Sequence, residues 1–544
     1  MARLKFIQEL KSLAHFRLDD DVAGTQAPAN TPYLLEDLDS WAGKPVFNQA
    51  QVIDQLDMGA KIQGQTISYG FLDGTSGNTG GEYAGFSPLS ETQKATTRDS
   101  MKLWDDLIAA RFVEKNGSSA DIVLGNTTTG PAQAWAYYPT EDGDPSTPQS
   151  SIWIADPDVN WTNEWVSYGG YGQSTMVHEI GHSLGLSHPG DYNFGADEDG
   201  DGVADPIRYG SDAEYAQDSQ EYTIMSYFLN WETGSQAFDP SLLVPTNPQT
   251  PLLHDILTVQ AKYGADPTTR AGSTVYFANS TAGNAVYDLE HNPFPYLSVY
   301  DAGGIDTFDF STASTGVFLD LRPGAFSSAS SGYLSLDEAA AAMAAYNALK
   351  PEGSPTTEWN PDFYNSWTSY LTSNGAGRVE GDTGVAGVTA TLHRNISIAY
   401  NTVIENAIGG AARDYLVGND VANLLKGNGG DDVLNGLGGN DLLWGGAGAD
   451  EFRFFADSGI DTILDFRSGT DKIDLSEIDA NTFAEGDQAF TFIGRGTFSH
   501  TAGELLSYSI LGARFLAGDS DGDGLADFVI GIGGSSILQS DLFL

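Results

Sequence analysis

Residues 178–188 read HEIGHSLGLSH and contain three of the eight histidines in the chain. On a helix, His178 and His182 lie four residues apart and share one face, so both imidazoles can reach one ion. Gly185 allows the helix to end and the chain to turn, which brings His188 back as a third ligand. The spacing therefore predicts a metal site built from three imidazoles on a helix and the turn that follows it.

The chemistry that this spacing favours is hydrolysis. Three histidine ligands leave one position on zinc open for water, which is the arrangement of catalytic zinc sites. Zinc lowers the pKa of that water towards roughly 7, so Glu179, beside the ligand face, can accept its proton while the water attacks a carbonyl carbon. A histidine-bearing core helix is the alternative, because H-E-x-x-H alone also occurs by chance. Gly185 and His188 favour the metal site.

The composition excludes several classes of protein. The 544 residues include 25 Lys and Arg against 74 Asp and Glu, which gives a formal net charge of −49. We expect no binding to nucleic acid, because phosphate backbones require a cationic surface. The apolar content of 40% argues against disorder. Cysteine is absent, so disulfides and thiol nucleophiles are excluded and any metal must be held by histidine, carboxylate or carbonyl ligands.

The apolar pattern divides the chain into three parts, and its length favours two or three domains. Residues 1–45 mix Pro, Asn and Asp with a few basic residues and predict a leader or pro-segment, loosely packed. Residues 46–266 show an α/β pattern, and residues 267–544 change to Gly-, Thr- and Phe-rich alternation typical of strands. In the α/β region, helices are predicted at about 91–112 and 252–263, and strands at 121–125, 133–138 and 151–155.

Residues 327–390 interrupt the β pattern and predict an insertion. Ser335 and Glu338 form a capping-box pattern before an alanine-rich run that ends at Pro351, which predicts one helix. The aromatic stretch that follows, EWNPDFYNSWTSYL, predicts irregular structure. No motif in the insertion indicates a function, and a surface decoration is its simplest interpretation.

A nine-residue repeat covers 409–453. Its first position is Gly409, Gly418, Gly427, Gly436 and Gly445, its sixth is Asp414, Asn423, Asp432, Asp441 and Asp450, and its eighth is Leu416, Leu425, Leu434, Leu443 and Phe452. This pattern is typical of calcium-binding parallel β-helices. Glycines permit the tight turn, the turn oxygens form a cage for a hard cation, and the eighth residues stack into a thin core. A flexible Gly/Asp linker is the alternative, which five in-register apolar positions argue against.

The first two repeats are degenerate, so we expect calcium sites mainly from the third to fifth repeats. The predicted ligand positions are Gly427, Gly429, Asp432, Gly436, Gly438, Asp441, Gly445 and Asp450.

Two acidic loops carry a second calcium spacing. Asp197, Asp199, Asp201 and Asp205 occupy positions 1, 3, 5 and 9 of an EF-hand-like loop, and Asp519, Asp521 and Asp523, with Gly524 and Asp527, repeat the spacing. Position 12 is Arg208 in the first loop and Ile530 in the second, where such a loop needs glutamate. Chance acidity is the alternative. Converging carboxylates need a cation to offset their repulsion, so we expect calcium at both loops, bound weakly or with a ligand from elsewhere.

The N-terminal sequence lacks the uninterrupted apolar run of a secretory signal peptide. No stretch of 18 apolar residues exists, so we expect no membrane span. A cytosolic acidic protein is the simplest interpretation of these two facts, and export by another route remains open.

Downstream of the histidines, residues 223–227 read TIMSY, and the two motifs together are the signature of the metzincin proteases. The longer strings HEIGHSLGLSHPGDYN, PLLHDILTVQAKYGAD, DAGGIDTFDFS and DTILDFRSGTDKIDLS resemble the serralysin family of RTX-type secreted zinc proteases. The resemblance covers most of the chain. It implies an α+β protein, with a metzincin-type α/β zinc protease domain followed by an all-β C-terminal parallel β-roll domain that binds calcium.

The resemblance also implies roles for individual residues. His178, His182 and His188 match the zinc ligands, Glu179 the general base, Met225 the floor beneath the metal, and Tyr227 a tyrosine that binds zinc at rest and then hydrogen-bonds the oxyanion. Calcium ligands near the domain junction match Arg270, Gly272, Asp301, Gly303, Asp306 and Glu405. Ser273 stands where the family usually has aspartate.

The same resemblance implies protein or peptide substrates, type I secretion machinery and an extracellular location. Residues 541–544 (DLFL) resemble the uncleaved C-terminal secretion signal, although a buried terminal strand has the same pattern. Residues 133–139 (QAWAYYP) look like the edge strand that pairs with an extended peptide, and backbone pairing reads little sequence, so we expect broad specificity. We expect a monomer.

Two other functions remain open. A non-catalytic calcium-binding surface or adhesion protein could carry an inactive protease domain, but such a protein usually loses the base or a ligand, and here Glu179 and the histidines are intact. A protease with a narrow role, such as processing a surface layer, could use the insertion at 327–390 as a targeting element.

Overall fold

A computed structural model describes residues 35–75, 79–140, 148–192, 206–455 and 458–544. Within these ranges the chain is a mixed α/β protein in which strands predominate and helices are few. The helices are α1 (Gln49–Leu56), α2 (Glu91–Asp105), α3 (Tyr171–Ser183), α4 (Tyr209–Asp212), α5 (Leu253–Tyr263), α6 (Leu336–Ala348) and α7 (Pro361–Thr383).

The N-terminal part is built on one mixed sheet. Its strands and the neighbouring hairpins are β1 (Ser40–Trp41), β2 (Lys44–Pro45), β3 (Thr66–Phe71), β4 (Phe86–Ser87), β5 (Arg111–Glu114), β6 (Ile122–Thr127), β7 (Ala134–Ala136), β8 (Ser150–Ala155), β9 (Phe238–Asp239) and β10 (Val244–Pro245). The sheet order is β5-β3-β6-β8-β7, with β4 paired to β6. Strands β5, β3, β6 and β8 run parallel, whereas β7 is antiparallel to β8 and forms the edge.

Helix α2 starts at the predicted residue but ends earlier than expected. Ser90 caps it with Gln93 in a reciprocal capping box. The prediction of helix to residue 112 is wrong, because Arg111–Glu114 pair with β3 instead. The Phe112 amide donates to the Asp105 carboxylate at 2.6 Å, which fixes the change of direction. The predicted helix at 252–263 is confirmed by α5.

The C-terminal part consists mainly of short parallel strands. They are β11 (Val275–Phe277), β12 (Leu297–Val299), β13 (Thr307–Asp309), β14 (Phe318–Asp320), β15 (Phe326–Ser327), β16 (Ile396–Ile398), β17 (Asn406–Ile408), β18 (Tyr415–Asn419), β19 (Leu424–Lys426), β20 (Val433–Leu437), β21 (Leu442–Trp444), β22 (Glu451–Arg453), β23 (Thr462–Ile463), β24 (Lys472–Asp474), β25 (Thr491–Gly494), β26 (Glu504–Ile510), β27 (Ala513–Asp519), β28 (Phe528–Ile532) and β29 (Leu542–Phe543).

Successive nonapeptides alternate between two sheets. Strands β19 and β21 belong to one sheet and β18, β20 and β22 to the other, and neighbours within each sheet are parallel. All five eighth-position side chains are fully buried. The repeat therefore folds with its apolar residues between two sheets, as its period predicts.

The insertion contains two helices instead of the one predicted. The capping box of Ser335 and Glu338 begins α6 as expected. Irregular structure after it is a wrong prediction, because α7 spans 23 residues. Asn360 caps α7, Pro361 occupies its first turn, and Gly384 ends it in the left-handed region. Its buried positions recur every three or four residues, at Tyr364, Thr368, Leu371, Gly375, Val379 and Thr383.

The segment before α1 is better anchored than a loosely packed arm. Leu35 is buried in a cluster with Tyr222 and Leu253, and Trp41 packs against it. Most of the predicted leader, residues 1–34, lies outside the described residues. No helix in the described ranges has the length and apolar character needed to cross a bilayer.

Candidate active site

Helix α3 carries the first two histidines and is buried along most of its length. It ends at Ser183 with Leu184 as the C-cap residue, and the chain turns at Gly185, where φ is +88°. A Cβ at this position would lie 2.1 Å from the carbonyl oxygen of Ala60, so only glycine fits the turn. The turn returns His188 to the face of α3 that carries His178 and His182, as the sequence predicts.

The three imidazoles converge through their Nε2 atoms. The Nε2 atom of His188 lies 3.1 Å from that of His182 and 3.4 Å from that of His178. The Nδ1 atom of His178 lies 2.7 Å from the Ile224 carbonyl oxygen, and that of His182 lies 2.8 Å from the Leu186 carbonyl oxygen. A carbonyl only accepts, so both Nδ1 atoms carry the proton and both Nε2 lone pairs face His188.

This donor set fits a metal ion. A single N–H on His188 cannot satisfy two lone pairs from different directions, whereas one cation can bind all three nitrogens. Burial lowers the pKa of His178 to about 4, and burial with the neighbouring imidazoles places that of His182 well below its usual range. Both side chains are therefore neutral at neutral pH, which is the form that binds metals.

Glu179 lies on the same helix beside the ligands. Its side chain is buried, with the residue only 5% exposed, and its Oε2 atom has no hydrogen-bond partner among the described residues. Burial raises its pKa to about 8. A cation at the histidines would favour the ionised form. An ionised carboxylate beside a bound cation can accept a proton from a neighbouring water, which is the action of a general base.

Below the histidines, the turn at 223–227 is held by an aspartate that the sequence analysis did not single out. Asp255 of α5 accepts hydrogen bonds from the Thr223 hydroxyl at 2.6 Å and the Ile224 amide at 2.8 Å. Met225 is fully buried, and its sulfur packs so closely on Gly181 of α3 that a Cβ there would lie 2.7 Å away. The sequence signal for this role was Asp255 itself, an acidic residue among the apolar residues of the helix predicted at 252–263.

Tyr227 lies over the histidines. Its ring centroid is 4.4 Å from that of His188 and 6.3 Å from that of His178. Behind it, the fully buried Asp218 accepts hydrogen bonds from the Tyr192 hydroxyl at 2.8 Å and the Ser226 hydroxyl at 2.7 Å. Asp218 therefore ties the chain after His188 to the turn that carries Tyr227, a role without a sequence signal.

Strand β7 runs alongside α3 at the open edge of the sheet. Near its start, the side-chain Nε2 of Gln133 donates to the Thr175 hydroxyl at 3.3 Å. Just after its end, the Tyr138 ring lies 5.4 Å from the His182 ring. The strand predicted at 133–138 is confirmed only for its middle, Ala134–Ala136, and β7 runs in the same direction as the histidine helix.

A group of carboxylates lies where the two parts of the chain meet. Glu405 accepts from the Asp306 amide at 2.6 Å, Asp306 accepts from the Thr274 amide at 2.7 Å, and Asp301 accepts from the Gly303 amide at 2.9 Å. Burial and the nearby charges of Asp301 and Glu405 raise the pKa of Asp306 to about 7.

The other two predicted ligands near this group differ from each other. The backbone of Gly272 lies close to Gly304, and thus near Asp306. The Arg270 side chain, in contrast, is bound to Asp106 at 2.7 Å and to the Tyr300 carbonyl at 2.6 Å. Only the carbonyl of Arg270 is therefore left as a possible ligand.

The sixth-position residues of the repeats form two buried ladders. Asp432 accepts from the Asp414 amide at 2.9 Å, and Asp450 accepts from the Asp432 amide at 3.1 Å. Asp441 accepts from the Asn423 amide at 2.8 Å. In each repeat the first glycine, including Gly427, Gly436 and Gly445, packs against the sixth-position side chain, and Gly429 and Gly438 lie in the turns.

Among the described residues, Asp432 and Asp441 form no ion pair, whereas Asp450 lies 3.4 Å from the Arg467 guanidinium. Burial raises the pKa of Asp432 to about 7, that of Asp441 to about 8 and that of Asp450 to about 6. Oδ2 of Asp432 and of Asp441 has no hydrogen-bond partner within the described residues. Buried oxygens of this kind fit a hard cation.

Of the two acidic loops, the second lies within the described residues and the first does not. Asp197, Asp199, Asp201 and Asp205 lie outside the described residues. In the second loop, Asp519 and Asp521 come together with Asp527, within 4.8 Å, whereas Asp523 does not join them. Asp523 instead accepts a hydrogen bond from the Leu525 amide at 2.7 Å.

Comparison with known proteins shows relatives over most of the chain. The family model "Peptidase M10 serralysin C terminal" matches residues 265–354 and 382–544. The chain is 33% identical over 512 residues to metallopeptidase AprA of Pseudomonas marginalis, covering 90% of this chain and 89% of the relative. It is 34% identical over 493 residues to serralysin of Photorhabdus luminescens (88% and 84% covered) and 36% identical over 451 residues to serralysin of Proteus mirabilis (77% and 75% covered).

Proposed function

Because the chain belongs to the serralysin family, we propose that it is a secreted zinc endopeptidase that hydrolyses peptide bonds in proteins. The observation that carries this proposal is the convergence of three imidazole Nε2 atoms beside the buried, unpartnered carboxylate oxygen of Glu179. His178, His182 and His188 would hold the metal. When bound, zinc supplies a Lewis acid that polarises the scissile carbonyl and makes the attacking water more acidic.

The chain's own residues then move the protons. Glu179 accepts the proton of the attacking water and delivers it to the leaving nitrogen, because a cation at the histidines would hold its carboxyl group in the ionised form that accepts a proton. The Tyr227 hydroxyl, on a ring packed against His188, donates a hydrogen bond to the oxygen that becomes negative during attack. Tyr227 is also our candidate for a fourth ligand in the resting enzyme.

Substrate binding is proposed at β7. An edge strand offers unpaired backbone groups to an extended peptide, and such pairing uses main-chain hydrogen bonds rather than side chains. Because such pairing does not depend on side chains, the enzyme would cleave a broad range of protein substrates. We further propose that the enzyme acts as a monomer.

We also propose a function for each part of the chain. Residues 46–266 would form the metzincin-type protease domain and residues 267–544 a calcium-binding β-roll, with residues 1–45 as leader or pro-segment. Structural calcium would be bound by the repeat aspartates, by the carbonyl and carboxylate group at 270–306 with Glu405, and by the acidic loops at 197–205 and 519–527. Raised pKa values of Asp306 and Asp441 support this, because each marks a buried acid without a cationic partner.

Export is proposed through type I secretion machinery that reads residues 541–544 before the chain folds. In the folded protein, residues 541–544 contribute to a sheet. Strand β29 pairs with β24, and Asp541 accepts hydrogen bonds from the Ser468 hydroxyl at 2.5 Å and the Gly469 amide at 2.9 Å.

Digestion of casein by the pure protein, with and without a zinc chelator, tests the proposal. We expect digestion that stops on chelation and returns with added zinc. A protein that binds zinc and calcium but leaves casein and other unfolded proteins intact would instead be a calcium-binding surface protein with an inactive protease domain.

A further inference from the structure

The helical insertion, defined as residues 336–383, contains the stretch of the C-terminal half that the family model does not match. The family model leaves residues 355–381 unmatched, and these include most of α7. The connection between α6 and α7 is fixed by two hydrogen bonds between Asn347 and Thr357, at 2.8 and 3.1 Å. The insertion is therefore an ordered pair of helices, and its contacts indicate its role.

The first contact is made by α6 with the chain just before α3. The ring of Tyr346 lies 4.8 Å from that of Trp165 and 6.0 Å from that of Trp161. The same short segment is tied to the start of β7, because the side-chain Nδ2 of Asn163 donates to the Gln133 backbone carbonyl at 3.1 Å. The aromatic cluster of Tyr346, Trp161 and Trp165 thus lies where β7 and α3 both begin.

The second contact is made by α7 with the loop that follows Tyr227, residues 229–239. Trp367 packs on Phe238 with ring centroids 5.4 Å apart. Arg378 donates to the Gly234 carbonyl at 3.0 Å. The insertion therefore contacts the chain on both sides of the site, before the histidine helix and after Tyr227.

The direction of β7 indicates which part of a substrate would reach the aromatic cluster. The strand runs from Gln133, beside Thr175, to Tyr138, beside His182. An antiparallel peptide, the more stable pairing, would enter near Tyr138 and leave towards Gln133. Residues C-terminal to the cleaved bond would then run towards Trp161 and Tyr346, whose rings are only half-buried.

We propose that the helical insertion extends the substrate cleft on the side of the leaving peptide and selects substrates there. This rests on the proposed protease function and adds a selectivity element to it. The favoured substrates are extended polypeptides that continue for at least about three residues beyond the cleaved bond, the length that spans β7. An apolar or aromatic side chain in that stretch would pack on Tyr346 and Trp161.

Tyr346→Ala tests this with a set of peptides that share one cleavage site and carry zero to five residues after it. For the wild type, kcat/KM should rise with length. The variant should lose about tenfold on long peptides, mainly through KM, and less than about twofold on the shortest. Phe483→Ala is the control, because Phe483 is 79% exposed and belongs to neither contact. Trp367→Ala probes the second contact independently if Tyr346→Ala does not fold.

Equal losses on short and long peptides, or a wild type indifferent to length, would overturn the inference while leaving the protease function intact. A wild type that cleaves neither casein nor any peptide would overturn the proposed function itself.

Discussion

At the scale of single residues, the proposed mechanism gives Glu179 a role in catalysis and none in metal binding. Its carboxylate is buried beside the histidines but makes none of the contacts that fix them. Glu179→Gln should therefore keep zinc at one ion per chain and lose about 10²–10⁴-fold in kcat, the contribution typical of a general base. Zinc content and kcat measured on the same sample check this, with the exposed Glu290→Gln as control. Activity within about threefold of wild type would remove Glu179 from the mechanism.

Tyr227 acts, in the proposed mechanism, on charge that exists only in the transition state. Tyr227→Phe keeps the ring against His188 and removes the hydroxyl. We expect kcat to fall about 10²-fold with KM nearly unchanged, as for the loss of one oxyanion donor. Steady-state kinetics with a fluorogenic peptide give both constants. A variant altered in KM alone would contradict the assignment.

At the scale of elements, the buried aspartates of the repeats make calcium-free stability depend on pH. The pKa values of Asp432, Asp441 and Asp450 are raised to between about 6 and 8, against about 3.9 in an unfolded chain. The folded state then binds more protons than the unfolded state, so its stability is present at low pH and is lost as pH rises from about 4 through 8. Calcium requires the ionised form and should reverse this dependence.

Thermal unfolding of the full chain measures both effects. Without calcium, the melting temperature of the C-terminal part should be higher at pH 5.5 than at pH 8, and millimolar calcium should raise it most at pH 8. Asp441→Asn should reduce the difference between the two pH values, because asparagine does not ionise. A calcium-free melting temperature that rises with pH would contradict the proposed role of these carboxylates.

Local patterns predicted some elements and missed others for physical reasons. The repeat at 409–453 was readable because each strand, turn and buried leucine recurs at a fixed spacing. Helix α7 was missed because its glycines, threonines and aromatic residues have weak helix propensity, and packing of the stripe from Tyr364 to Thr383 overrides that propensity. The end of α2 was also predicted wrongly because tertiary contacts override the local pattern. The apolar spacing continues past Asp105, but residues Arg111–Glu114 pair with β3 instead of continuing the helix.

At the scale of the whole molecule, the candidate active site depends on residues brought together from distant parts of the sequence. The histidines, Glu179 and Gly185 were predicted because they lie within eleven residues. Asp218 and Asp255 were not, since each acts on a turn that is close only in the folded chain. Asp218 leaves no local pattern, and Asp255 was marked only as an acidic residue among the apolar positions of a predicted helix.

The C-terminal half also supports the turn that carries Tyr227. Arg394 forms an ion pair with Glu221 at 2.8 Å, and the Glu221 side chain has no exposed surface. Glu221 also accepts from the Thr233 hydroxyl at 2.5 Å, which links the segments before and after Tyr227. Breaking such a pair leaves a buried charge without a partner, which typically costs about 3–5 kcal/mol.

Arg394→Met should therefore lower the free energy of unfolding by about 3–5 kcal/mol and reduce activity with it, because the turn below the histidines loses its support. Adding Glu221→Leu removes the unpaired charge, so the double variant should recover part of the lost stability. Denaturant unfolding of wild type, both single variants and the double variant forms a thermodynamic cycle that isolates the pair. If the two single losses simply add, the ion pair does not couple the C-terminal half to the active site.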